Sequence, residues 1–190
     1  MRRHASIFAA TALALTLAPL SSARAQYSPD KATAIEVRKE FLANFDGLQK
    51  KFLALAEAIP ADKYSWRPAP GVRSVGEVFM HIASEYYYWT PAVFGATPST
   101  VVGPANNGFA NYEKNSTKAD VLKNLNDGFA FAKKTIEGLD ESKIAGRQKV
   151  FNRESQIIEM SFDMTDDLHE HLGQLIAYSR SIGVKPPWTK

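Results

Sequence analysis

Beyond residue 25 the 190-residue chain keeps three histidines, His81, His169 and His171, and two of them have an acidic neighbour one helical turn away. Glu85 follows His81 by four positions, and Asp167 precedes His171 by four. Side chains at i and i+4 share a helix face, so each pair can aim a ring nitrogen and a carboxylate oxygen at one point. With ~100° per residue, His81 lies about 60° to one side of Val78, and Glu85 about 20° from it, within the apolar stripe Val75, Val78, Ile82 and Trp89. A carboxylate aimed at a core needs a partner, because an isolated buried charge is very costly. On the later segment the stripe is Ile157, Ser161, Leu168, Leu172 and Leu175. His171 sits about 60° from Leu168, Asp167 about 100° to the same side, and His169 about 100° the other way. Nitrogen and oxygen ligands that converge from facing helices are how helical bundles build metal sites. Two imidazoles and one carboxylate leave coordination positions open, as catalytic zinc and non-heme iron sites do. In the plainer reading these histidines are hydrogen-bonded core or rim residues, Asp166 and Asp167 are a solvated pair, and Glu85 meets an arginine such as Arg73 or Arg153.

Other chemistry is thinly represented. There is no cysteine, which excludes disulfides, thiolate nucleophiles and cysteine metal sites. The sequence holds no P-loop, dinucleotide fingerprint or nucleophile elbow. Tyr86-Tyr87-Tyr88-Trp89 follows His81. Tyr88 falls one to two turns beyond it, where it can line a pocket and present a phenol to substrate. Tyr86, Tyr87 and Trp89 read as aromatic packing.

Helices must position these residues, and four long amphipathic segments are legible. The first opens at Ser28 with Pro29 at its first position. Its stripe Phe41, Phe45, Leu48, Phe52, Leu55 and Ile59 ends at Pro60. The second opens on a capping box, Ser74 with Glu77, and runs to about Thr90, before Pro91. A Pro-, Gly- and Asn-rich stretch from about Gly95 to Ser116 reads as a functional or mobile loop, with a tight turn at Asn106-Asn107-Gly108. The third opens near Thr117, with Asp120 as its capping partner, and carries Leu122, Leu125, Phe129, Ala132, Ile136 and Leu139. The fourth runs from near Ser155 to about Ile182, closed by Gly183 and Pro186-Pro187. Lys149-Val150-Phe151 is too short to count as a sheet. The pattern predicts an all-α four-helix bundle, with Trp66 plugging one end.

The first 25 residues read as a secretory signal: Arg2 and Arg3, an apolar run from Ile7 to Leu20, then Ala23-Arg24-Ala25. That run is shorter than the about 20 residues a membrane span needs. The expected organisation is a signal peptide over 1–25 and one domain over 26–190, in the periplasm or secreted, with no stable membrane insertion after cleavage. N-terminal sequencing of exported protein should begin at Gln26; a membrane-bound form that keeps Met1 would contradict this. The signal carries three of the 23 basic residues and none of the 20 acidic ones. The remainder is therefore balanced, which gives no electrostatic case for a nucleic-acid partner.

The run Trp66-Arg67-Pro68-Ala69-Pro70-Gly71-Val72-Arg73-Ser74-Val75-Gly76-Glu77 leads into His81, and His169-Glu170-His171-Leu172-Gly173-Gln174-Leu175-Ile176-Ala177-Tyr178 precedes Gly183 and Pro186-Pro187-Trp188. Together these motifs resemble the DinB-like (YfiT-like) superfamily over nearly all the chain beyond the signal. The resemblance implies a four-helix bundle with a divalent ion (Zn, Ni, Fe or Mn) on three side chains, usually histidines, one from the second helix and two, four residues apart, from the last. His81 matches the first and His171 the third. The middle ligand falls on Asp167, where the common pattern has His, and a carboxylate is a competent ligand. Glu85 would orient a ligating side chain or serve as extra ligand or base, and Tyr88 would turn its phenol to substrate. Members with a known activity resemble thiol-dependent transferases or hydrolases, so the expected function is metal-dependent chemistry on a small-molecule substrate. The alternative is a non-catalytic exported binding or structural bundle, as a homodimer for example, with a vestigial site.

Overall fold

The computed structural model describes residues 29–94, 99–103, 108–150 and 153–189. The signal segment, Ser28, Asn106, Asn107 and Phe151 lie outside the described residues. Four long helices form the bundle: α1 (Lys31–Ala58), α2 (Val75–Phe94), α4 (Lys118–Glu137) and α6 (Ile157–Ser181). Two short ones, α3 (Gly108–Glu113) and α5 (Glu141–Ile144), join them, along with an antiparallel hairpin, β1 (Arg147–Val150) and β2 (Arg153–Gln156). Contacts run in a ring, α1 to α4, α4 to α2, α2 to α6 and α6 back to α1, so each long helix has two long neighbours. The all-α bundle expected from the sequence is the observed fold. Among the described residues, no helix is long and apolar enough to cross a membrane.

The expected stripes form the core. Phe41, Phe45, Leu48, Phe52 and Leu55 of α1 are buried, as are Leu125, Phe129, Ala132 and Ile136 of α4 and Leu168, Leu172 and Leu175 of α6. Phe45 is central: its ring stacks on Phe129 at 4.1 Å and meets Tyr86 edge-on at 5.4 Å, which ties α1, α4 and α2 together. Lys118 at the start of α4 donates to the carbonyls of Glu57 and Ile59, so it satisfies acceptors that the end of α1 leaves open.

Helix ends depart from the sequence reading in three places. Helix α1 starts at Lys31 rather than Ser28, because the Asp30 side chain accepts from the Thr33 amide and is the better cap. Helix α2 continues through Pro91 to Phe94. Pro91 forfeits one backbone hydrogen bond, but Thr90, Pro91, Val93 and Phe94 are all buried, and that burial outweighs it. Helix α6 starts at Ile157 rather than near Ser155, because Ser155 is paired with Gln148 in the hairpin and Gln156 forms the capping box with Glu159. The stretch read as one long loop contains helix α3, which packs on α2. Two other signals stand as expected. Thr117 caps α4 through the Asp120 amide, and Gly183 adopts φ +80°, the left-handed conformation that ends α6.

Candidate metal centre

The segment before α2 sets the first histidine. The Val75 amide donates to the Trp66 carbonyl and the Gly76 amide to the Tyr64 carbonyl, both at 2.9 Å. The Ser74 amide donates to Glu77 Oε2 at 2.7 Å and the Glu77 amide to Ser74 Oγ at 3.2 Å, closing the capping box. Gly76 is required where it stands: a Cβ there would meet the Ser116 carbonyl oxygen at 2.4 Å, so the strand of chain entering α4 could not lie against α2. Helix α2 then carries His81 and Glu85 one turn apart towards α6.

His81, Glu85 and His171 each offer one ligand atom, and these atoms all lie within 4.8 Å of one another. Glu85 Oε1 is 3.0 Å from His81 Nε2 and 3.9 Å from His171 Nε2. The two imidazoles face edge to plane with centroids 5.0 Å apart. Asp167 lies beside this group, with Oδ1 3.9 Å from His171 Nε2. Asp167 is more open than the others, with a third of its side chain accessible. His169 is turned out, exposed, with Nδ1 2.9 Å from the Thr165 carbonyl of its own helix.

The outer ring nitrogens are engaged, and this fixes which nitrogens point inward. His81 Nδ1–H donates to Glu113 Oε1 at 2.7 Å. Glu113 is buried and takes a two-point pair from Arg73, Nε to Oε2 at 2.8 Å and Nη2 to Oε1 at 3.1 Å. His171 Nδ1 lies 3.3 Å from Gln174 Oε1, and the Gln174 amide nitrogen donates to the Tyr178 hydroxyl at 3.1 Å. Tyr178 in turn packs edge-on against Trp66 at 5.4 Å. An Nδ1–H held by an acceptor leaves Nε2 with its lone pair free for a ligand.

Electrostatics show what the cluster lacks. Burial, the Glu85 charge and a hydrogen bond to Glu85 push the Asp167 carboxyl up to about 7. Burial works against a charged His81, but hydrogen bonds that its ring donates to Glu113 and Glu85, with the Glu85 charge, outweigh it and raise the ring to about 9. Glu85 Oε2 is buried and has no hydrogen-bond partner among the described residues. Two carboxylates therefore crowd each other beside two imidazoles, with one buried oxygen left over. A divalent cation suits this donor set. It would neutralise both carboxylates, accept both Nε2 lone pairs and give the stranded oxygen a partner.

The structure brings together His81, Glu85 and His171, with Asp167 at their edge. The fifth sequence candidate, Tyr88, is two turns along α2 from His81. Its ring meets Phe109 edge-on at 5.0 Å, and it lines a cleft of about 320 Å³ with Tyr87, Pro91, Val102 and Phe109. Glu85 does not pair with Arg73, which Glu113 holds instead; the Arg153 side chain lies outside the described set. Glu113 itself went unforeseen. It ends a six-residue helix inside a stretch read as loop, 32 positions from His81, so neither periodicity nor local spacing marks it.

The family model of the DinB superfamily matches residues 44–175, more than half of the chain. Among solved structures, a DinB-like protein from Bacillus subtilis superposes with a TM-score of 0.60 at 20% identity, covering 76% of this chain and 92% of that one. A DinB-like protein from Bacillus cereus gives 0.61 at 12% identity, covering 80% and 97%. At these identities the likeness establishes the shared fold. No curated protein matches the chain.

Proposed function

The chain belongs to the DinB superfamily, and from that premise we propose that it is an exported metal-dependent enzyme that holds one divalent ion between α2 and α6. The ligands are His81 Nε2, His171 Nε2 and the carboxylates of Glu85 and Asp167. One observation carries this reading: both imidazoles have Nδ1 engaged elsewhere, and both turn Nε2 towards the same Glu85 oxygen, at 3.0 and 3.9 Å. The bound ion would act as a Lewis acid that lowers the pKa of a water, or of a substrate thiol or hydroxyl, at its open position. The reaction class that follows is hydrolysis or transfer to a thiol.

The chain's own groups do the rest. Asp167 is the more open of the two carboxylate ligands and closes the solvent side of the set, while the more enclosed Glu85 holds the two imidazoles in register. The aromatic cleft between Tyr88 of α2 and Phe109 of α3 offers an apolar surface to a small-molecule substrate. Calorimetric titration of chelator-stripped protein with Zn, Mn and Fe(II) tests the reading. One equivalent should bind in the parent chain, and less in His81→Ala and His171→Ala. A parent chain that binds none of the three overturns it.

A further inference from the structure

Glu113 is buried, and both its oxygens are engaged by groups on or just before α2. It ends α3, a helix too short to be stable alone, and meets α2 at His81 Nδ1. Its second oxygen and part of its first are held by Arg73, from the turn before α2. Both its oxygens face donors, the Arg73 guanidinium and the His81 ring, so it serves as an acceptor only. We propose that Glu113, clamped by Arg73, is a positioning residue that fixes the His81 ring and directs its Nε2 to the ion. This rests on the metal reading above.

The geometry supplies the reason in three steps. A neutral imidazole carries its proton on either nitrogen, and only the Nδ1–H form leaves Nε2 free to bind. A carboxylate 2.7 Å from Nδ1 selects that form and makes the ring a stronger donor at Nε2. Unclamped, Glu113 could rotate away from the ring; the planar two-point pair with Arg73 removes that freedom. The other histidine has only a neutral amide, Gln174, at 3.3 Å, so His81 is the more strongly fixed ligand. Helix α3 is anchored a second time one turn earlier, where Phe109 meets Tyr88. The long connection between α2 and α4 thus serves the site by delivering one carboxylate.

The competing explanation is that Arg73 and Glu113 merely pin that connection to α2. Two readouts separate the explanations: zinc dissociation constants by chelator competition, and the His81 tautomer from long-range proton–nitrogen NMR of the zinc-loaded protein. Glu113→Ala should weaken zinc binding about ten- to a hundredfold, the usual effect of losing an outer partner of a ligating histidine. Glu113→Gln should fall between it and the parent, because an amide oxygen still accepts from Nδ1–H without the charge. Arg73→Met should weaken binding less than Glu113→Ala. In the parent the His81 proton should sit on Nδ1, and its signal should broaden or shift in Glu113→Ala. Binding within twofold of the parent in both Glu113 variants, with only a lowered melting temperature, overturns the proposal. If Glu113→Ala does not fold, the near-isosteric Glu113→Gln decides alone. A parent that binds no zinc removes the metal reading and this proposal with it; a parent that binds beside unaffected variants removes this proposal only.

Discussion

Zinc affinity is expected to climb about tenfold for each unit of pH between about 7 and 9, because the ion must displace one proton from His81. His81 is raised to about 9 in the metal-free fold, against an ordinary 6.5. Below about 7 the climb should steepen towards a hundredfold per unit, since Asp167 then also carries a proton. The metal-free protein should move the opposite way. A histidine whose folded value is raised stabilises the fold fully below about 6.5, and that stabilisation is lost as pH rises through about 9. Asp167, raised from 3.8, likewise favours its protonated form: its contribution is present below about 4 and gone above about 7. The melting temperature of stripped protein should therefore fall from pH 5 to 9 while the shift produced by zinc grows. Chelator-competition titrations and melting curves across that range measure both. A zinc affinity that does not change with pH would mean that His81 is not a ligand.

How far the site could be read from sequence depended on how local its geometry is. The i and i+4 spacing of His81 with Glu85, and of Asp167 with His171, follows from helix pitch alone, and the two pairs do face each other across α2 and α6. The capping box at Ser74 and Glu77 was equally local, with both its hydrogen bonds formed as written in the chain. The Glu113 contact was invisible because it depends on where a six-residue helix docks, and such a helix carries too little periodicity to announce itself. For the same reason Arg73 reads as available to Glu85 in the sequence, when its partner is Glu113 at the end of α3. The hairpin of four-residue strands shows no alternation long enough to read. On backbone grounds Pro91 is a stop, whereas the apolar face beyond it carries the helix on to Phe94.

Asp167 is where the two carboxylates can be told apart, and its variants should respond with opposite signs in the two states of the protein. Above about pH 7 Asp167 is ionised beside Glu85, a repulsion that the stripped protein must bear. Asp167→Asn removes that charge and puts an amide N–H donor beside Glu85 in its place. At pH 8 the stripped variant should melt higher than the parent, yet bind zinc roughly a hundredfold or more weakly, beyond the usual cost of an outer-shell change. Asp167→Ala should show the same loss of zinc with the helical fold largely intact. Asp167→His should keep a site and shift preference towards Zn and Ni over Mn, because imidazole suits those ions better than carboxylate does. His169→Ala should change zinc binding by less than twofold, since that ring faces solvent and bonds its own helix. The measurement is a zinc and manganese titration of the four variants beside the parent, with melting curves of each stripped protein. Undiminished binding in Asp167→Ala and Asp167→Asn would leave His81, Glu85 and His171 as the whole ligand set. Loss of binding in His169→Ala alone would place the site on the wrong face of α6.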